Sequence, residues 1–356
     1  MVMTMDLPTS FSFPFSNTTI YEDLLENSTP CPETETQQMF SKVVPVYIFT
    51  LSVLGIVLNI LVLLVFWLHK NPCTVPEIYL SNLAAADLLL MCFMPFWAVT
   101  IVNKYNWVFG PHMCRLVNLC IVMNANCSIY FLVLVSIDRF LALVHPLSHA
   151  RMRSRKCAKF GCLLVWCFGL ILSIPTLVCR KVKHKKSNIT QCILGCSTTM
   201  FYTNEGILTV VCFIIPVMII SYCTVRIIRS LNKRPIESLG TQRKEYKSTI
   251  LVLVVLVAFL ICWVPFHLTR IIDVFLRAEI IPGHDSCDIV NTFEMFMQIF
   301  SYIAFLTASS TPILYVIVGK TFRDKTLEVF CEFTMKRVST SGTTASRTLQ
   351  STGKKL

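Results

Sequence analysis

The chain has 356 residues, of which 54% are hydrophobic and only 15% charged, with a mean hydropathy of +0.64. A soluble domain carries about 25% charged residues, so an ordinary soluble globular protein is excluded. The net charge of +12 sits in short loops beside apolar runs, where membrane orientation and anionic headgroups account for it and nucleic-acid binding does not.

Residues 1–42 hold six acidic residues and one lysine, are rich in Ser, Thr and Pro, and show no sustained apolar period. They read as a disordered tail. No basic n-region precedes an apolar h-region, so the first span is expected to serve as the insertion signal. Asn17, Asn27 and Asn188 each open a glycosylation sequon. All three fall in segments assigned to the outside.

A helix crossing about 30 Å of hydrocarbon needs about 20 mostly apolar residues. Seven stretches qualify, at 43–68, 77–102, 113–144, 158–179, 203–230, 247–276 and 289–318. The inner loops then carry roughly twice the basic residues of the outer ones, which puts the N-terminus outside. The expected fold is an all-α seven-helix membrane bundle over 43–318. Most of the 17 cysteines lie inside these spans as small hydrophobes, and none shows metal spacing. Cys31, Cys114, Cys192, Cys196 and Cys287 fall in or near outer segments, where disulfides persist.

Each span contains a residue that an oily helix does not need. Asn59 lies in the first, and Asp87 in Leu83-Ala-Ala-Ala-Asp-Leu88 of the second. The third has Asn124, Asn126 and Ser128 and closes on Asp138-Arg139-Phe140, a charged pair where the helix meets water. Trp166 stands in the fourth, Pro216 in the fifth, Cys262-Trp263-Val-Pro265 in the sixth and Thr311-Pro312-Ile-Leu-Tyr315 in the seventh. An ionisable group such as Asp87 inside a span points to function, because it must face a polar interior or an ion. Proline removes a helix hydrogen bond, so Pro216, Pro265 and Pro312 supply kinks.

Beyond the last span, residues 319–331 place Phe322, Thr326, Val329 and Phe330 near one face, as in an interfacial amphipathic helix. Cys331 at its end is a candidate for palmitoylation. Residues 332–356 form a hydroxyl-rich inner tail, either plain disorder or a set of phosphorylation sites whose added charge would recruit a basic partner.

The Asp-Arg-Phe, Cys-Trp-x-Pro, Ala-Ala-Ala-Asp and Pro-x-x-Tyr elements in these spans resemble the rhodopsin-like G-protein-coupled receptors. Glu77–Asp87, Met94-Pro-Phe-Trp-Ala98, Leu134–Arg139 and Tyr315–Lys320 resemble, within them, the bradykinin (kinin) receptors. The likeness covers about 40 to 331.

The resemblance implies a plasma-membrane receptor, not an enzyme, that passes kinin binding to a heterotrimeric G protein of the Gq type and to calcium release. It implies that Arg139 is restrained by Asp138 until activation, that Trp263 senses the ligand, and that Pro216, Ile129 and Phe259 repack. Asp273 and Glu294 would hold the peptide's N-terminal arginine. Asp273 lies ten residues past Trp263, about 15 Å along the helix. Two disulfides are implied: Cys114–Cys192, with Cys196 the rival partner, and Cys31–Cys287.

The family subtype that prefers kinins lacking their C-terminal arginine has a lysine where Val122 stands here. With no cation expected at that site, the intact-kinin type is the nearer match. Thr307, Ala308 and Thr311 replace the family's polar residues around Asp87, Asn124 and Ser128, so sodium is expected to bind only weakly at Asp87. Other readings are a receptor for an angiotensin-like or chemokine-like cationic peptide, or an ion-coupled transporter using Asp87. Inverted repeats with broken helices would favour the transporter, and none is visible.

Overall fold

The computed structural model describes residues 35–145, 154–184, 189–232, 242–277, 287–318 and 322–331. The helices are α1 (Glu35–Leu68), α2 (Val75–Val102), α3 (Gly110–Val144) and α4 (Arg155–Cys179), followed by the antiparallel hairpin β1 (Arg180–His184) and β2 (Thr190–Leu194). Then come α5, in three consecutive pieces (Thr198–Thr209, Val210–Ile214 and Ile215–Asn232), α6 (Gln242–Arg277), α7 (Cys287–Val318) and the short α8 at 322–331. Seven of these helices are long and apolar enough to cross a bilayer. A helix satisfies its own backbone in lipid, where an open segment cannot, which is why apolar runs of this length adopt it.

Most helices run past the apolar stretches by about a turn. The largest departure is at the start: residues 35–42, expected within the irregular tail, are already helical. Glu35, Gln37 and Gln38 are good helix formers, and no glycine or proline intervenes before Pro45, so the apolar helix propagates back through them. The amphipathic segment expected from 319 is helical at 322–331. Cys31, Asn17, Asn27 and Asn188 lie outside the described residues, as do the side chains of Cys287 and Glu294.

Apolar side chains such as Trp67, Met218 and Ile261 form an exposed outer surface suited to lipid tails. Inside, polar residues join helices. Asn59 Nδ2 donates to the carbonyl oxygens of Gly55 and Ala308, tying α1 to α7. Ser309 Oγ donates to Leu51 O, and Trp166 Nε1 donates to Asn82 Oδ1 at 3.0 Å, joining α4 to α2. Gly55 permits the close approach of α1: a Cβ there would lie 2.5 Å from Met91.

The central piece of α5, Val210–Ile214, is a π-turn, with Ile215 N–H donating to Val210 O. Pro216 follows and has no N–H for the carbonyl four residues earlier, so the ladder opens here. Tyr130 of α3 donates its hydroxyl to Val211 O at 2.7 Å, supplying a partner from the neighbouring helix.

At the end opposite the hairpin, α8 lies against α1 and α2. Lys325 pairs with Glu77 at 2.7 Å, and His69 Nε2 lies 3.0 Å from Glu328. Phe322 is buried between Phe66 and Tyr315, and Arg323 Nη1 donates to Val316 O and Ile317 O, capping α7. Phe330 and Leu327 remain exposed, as an interfacial helix requires, and exposed Cys331 ends it.

Candidate functional site

A cavity of about 90 Å³ opens below the hairpin among α3, α4, α5 and α6. Val122 and Ile129 of α3 line it, with Trp263 and Phe266 of α6 at its floor. Aromatic packing fixes that floor. Trp263 stacks on Phe259 at 5.3 Å between ring centroids, lies edge-on to Phe266, and donates its indole N–H to Thr307 Oγ1 of α7 at 3.2 Å. His267 stacks on Phe213 of α5 at 4.5 Å, so one layer of rings spans α5 and α6 and is hydrogen-bonded to α7 through Thr307.

Two disulfides hold the hairpin over this cavity. Cys114 bonds Cys192, as the resemblance implied. The rival partner, Cys196, bonds Cys179 at the end of α4. The hairpin and the Cys179–Cys196 bridge were not legible in the sequence. Trp107 N–H donates to Thr190 O and Asn106 Oδ1 accepts from Thr190 N–H, docking β2 on the α2–α3 connection.

The cavity wall carries charge that the sequence reading missed. Glu205 of α5 and Arg270 of α6 form an ion pair at 2.6 Å, with side chains only 12% and 10% exposed. Arg180, at the start of β1, is buried beside them. Burial, the nearby Arg270 and, in the opposite direction, Glu205 bring its guanidinium down to about 10, so it stays charged at neutral pH. Val122 lines the cavity without a charge, and the cations on this wall come from other elements, Arg180 of β1 and Arg270 of α6. One signal was available, since Glu205 and Arg270 are opposite charges near the ends of two apolar spans. Which of them face each other is a tertiary fact.

Asp273, one turn beyond Arg270, is also buried, but it is not among the residues lining this cavity. Glu294 belongs to α7, and because its side chain lies outside the described residues, the expected pair of acids lies outside them as well.

Below Trp263 lies a second cavity of about 20 Å³, lined by Asp87, Ser128, Phe259, Thr307, Ser310 and Thr311 among others. Asp87 Oδ1 accepts from Asn124 Nδ2 at 3.1 Å and from Ser128 Oγ at 3.3 Å. Of the expected polar cluster, Asp87, Ser128 and Thr311 face one space and Asn124 is joined to it through its hydrogen bonds to Asp87 and Ser128, while Asn59 serves the α1–α7 contact instead. The volume admits one water-sized particle, and Asp87 with the hydroxyls of Ser128, Ser310 and Thr311 offers oxygens that fit a small cation.

At the far end, Arg139 Nε donates to Asp138 Oδ2 at 3.0 Å and both side chains are nearly inaccessible. Phe140 lies 5.9 Å from Tyr222 of α5, and Ser230 Oγ donates to Leu143 O, so α5 closes over the end of α3. Pro216, Ile129 and Phe259 are buried between this pair and the cavity, with Cys262 and Pro265 beside Trp263 on α6. Pro312 is buried on α7, and Tyr315 is almost fully so.

A cavity under a disulfide-held hairpin, an aromatic floor, an intramembrane acid and a buried acid–arginine pair stand in series along one bundle. Residues 58–315 match the model of the seven-transmembrane receptors of the rhodopsin family. The mouse B2 bradykinin receptor is 43% identical over 305 residues, spanning 84% of this chain and 77% of that one. The human B2 bradykinin receptor is 41% identical over 329 residues, 90% of this chain and 83% of that one. The chain belongs to the bradykinin receptors of the rhodopsin family. The human B1 bradykinin receptor is more distant, at 35% identity over 320 residues, 88% of this chain and 90% of its own length. As a bradykinin-receptor family member, the chain is a multi-pass protein of the plasma membrane and a receptor, not an enzyme. The resemblance read from Glu77–Asp87 and Leu134–Arg139 is thereby confirmed.

Proposed function

We propose that the chain binds an intact kinin peptide at the hairpin end and passes that event to a heterotrimeric G protein of the Gq type, releasing calcium. The observation that carries this reading is the 41–43% identity to B2 bradykinin receptors over most of the chain, against 35% to a B1 receptor. The N-terminus and hairpin face outward, and α8 with the tail faces the cytoplasm, where basic residues concentrate. Phosphorylation of the tail by receptor kinases recruits arrestin, sugars attach at Asn17, Asn27 and Asn188, and palmitate on Cys331 holds α8 to the inner leaflet lipids. Cys31 bonds Cys287 and ties the N-terminal tail over α7.

In this reading the buried Asp138–Arg139 pair is the resting state. Peptide binding above Trp263 repacks the ring layer, Phe259 and Ile129 shift past the opening at Pro216, and Arg139 is released to the G protein. Binding need only favour the shifted arrangement over the resting one. Asp273 and Glu294 hold the peptide's N-terminal arginine at the mouth. Sodium binds weakly at Asp87, and its charge favours the resting arrangement.

Calcium release in cells expressing the chain tests the assignment. Intact bradykinin should evoke it at lower concentration than the peptide lacking the C-terminal arginine. Asp273→Ala with Glu294→Ala should weaken the response to the intact peptide by roughly 10- to 100-fold, the size of a lost charge-assisted contact. Preference for the shortened peptide would overturn the subtype, and silence to both, with the protein at the surface, would overturn the ligand.

A further inference from the structure

We propose that the exposed face of the hairpin, with Lys181 and Lys183 at its centre, is a docking surface for a sulfated glycosaminoglycan of the cell surface. The proposal rests on the outward orientation of the hairpin in the reading above. Membrane insertion normally keeps lysine and arginine on the inner side. Here the α2–α3 connection with the start of α3 (103–118) and the hairpin with its exit (180–197) together hold seven lysines and arginines and no aspartate or glutamate. The ligand of that reading does not account for them, since a peptide with an arginine at each end is repelled by such a surface.

The fold gathers these charges. Lys181 pairs in register with Ile193 and Lys183 with Gln191. Residues two apart on a strand share a face, so the two lysines stand about 7 Å apart on one side of the hairpin. Both are exposed. Gly195 leaves the space that the Lys181 stem occupies, and a Cβ there would collide with it. Arg115, exposed at the start of α3, donates Nε to Arg180 O at 3.1 Å, which brings a further guanidinium to the edge of β1. Lys104, also exposed, lies on the connection that Trp107 and Asn106 fasten to Thr190. Two disulfides hold the hairpin, so an extended polyanion meets cations already in place and releases the small ions that screened them. The strands carry no Phe, Tyr or Trp on which bases could stack, which disfavours single-stranded nucleic acid. Anionic lipid concentrates in the opposite leaflet. A sulfate-rich polysaccharide needs only cations on an open surface, and a lysine-rich run of this kind is the pattern that heparin-type chains bind.

Binding of fluorescent heparin to intact cells that make no glycosaminoglycans of their own, expressing the full-length receptor with an N-terminal epitope, tests the surface. Staining of the epitope without permeabilisation reads the orientation and the number of receptors, to which binding is normalised. Heparin should bind saturably, with a log affinity that falls as log salt rises. Lys181→Gln with Lys183→Gln should weaken it by roughly 10- to 30-fold and make the salt dependence shallower. Lys181→Arg with Lys183→Arg should keep it. Lys156→Gln with Lys159→Gln, which removes the same charge from the inner end of α4, should leave it unchanged. Equal binding by the hairpin glutamine variant and the unaltered receptor overturns the surface, as does no binding at all with the epitope outside. The acidic N-terminal tail is the competing occupant. If heparin binds only once Glu22→Gln, Asp23→Asn and Glu26→Gln have removed three of its charges, the hairpin serves the tail and the proposal is overturned. An epitope reached only after permeabilisation overturns the orientation itself.

Discussion

Asp87 and Arg180 are both buried ionisable side chains, yet their settings ask for different behaviour. Asp87 faces a cavity with room for one small particle, surrounded by hydroxyls and one amide that already donates to it. On the proposed reading, sodium there would compete with the hydrogen bonds that Asn124 and Ser128 already give Asp87 and would gain, besides that carboxylate, only hydroxyl ligands. Replacing sodium by a large organic cation at equal ionic strength should therefore shift agonist affinity by less than about threefold, on the scale of a fraction of RT ln 10. A tenfold rise in affinity on sodium removal would show that the site is stronger than its ligand set suggests. Arg180 makes the opposite point about pH. Its folded pKa of about 10 lies below the usual arginine value, so the unfolded chain binds the extra proton between the two. Below about pH 10 both states are protonated, and the stability contribution from this group is flat; it rises only as pH climbs above 10. Peptide affinity should accordingly show no titration step from Arg180 between pH 6 and 8. Fluorescent-ligand binding across that range measures it, once peptide titration is subtracted with a non-titrating analogue.

The elements show how far the linear chain discloses the structure. The seven spans were plain because lipid imposes one rule on them: about 20 apolar residues and a self-satisfied backbone. The Asp87 cluster was legible because Asn124 and Ser128 are one helical turn apart and polar in an apolar run. The hairpin was not, because its strands are five residues each, β1 is strongly basic, and neither shows an apolar alternation. The pairing of Cys196 was equally hidden. Cys192 and Cys196 are near neighbours, and only the position of Cys179 at the exit of α4 decides which of them Cys114 takes. That second bridge makes its own prediction. It closes a loop of sequence separation 17, for which chain entropy gives about 3 kcal/mol, against a separation of 78 for Cys114–Cys192. Cys179→Ser with Cys196→Ser should lower the Tm of detergent-solubilised receptor by several degrees while leaving it at the cell surface, because the longer bridge still anchors the hairpin. Peptide affinity should fall as well, since Cys196 lines the cavity. An unchanged Tm and affinity would mean that the hairpin is held by Cys114–Cys192 and the Trp107–Thr190 contact alone.

Across the whole molecule, the ligand cavity and the Asp138–Arg139 pair are too far apart to touch, so they can only communicate through packing that has two arrangements. The ring layer at Trp263, the opened ladder before Pro216 and the buried Phe259 and Ile129 supply such packing, since each sits where a helix has lost a backbone bond or meets a large side chain. Coupling of the kind proposed is reciprocal: the factor by which the G protein tightens agonist binding is the factor by which agonist tightens G-protein binding, and a bias toward the released state of Arg139 favours both. Asp138→Asn keeps the shape of the side chain and removes its charge, leaving Arg139 without that ionic restraint. It should raise basal calcium signalling and increase agonist affinity together, with the affinity gain limited to the fraction of receptor that was resting before the change. Agonist binding to membranes, with and without the guanine nucleotide that uncouples the G protein, separates the two contributions. In the unaltered receptor, nucleotide should weaken agonist binding by about 5- to 150-fold, the usual size of such coupling. In Asp138→Asn the affinity should stay raised even with nucleotide present, because the bias lies in the receptor. A variant with raised basal signalling but ordinary agonist affinity under nucleotide would show that the pair controls only the G-protein surface, and that the cavity above Trp263 is moved by something other than Arg139.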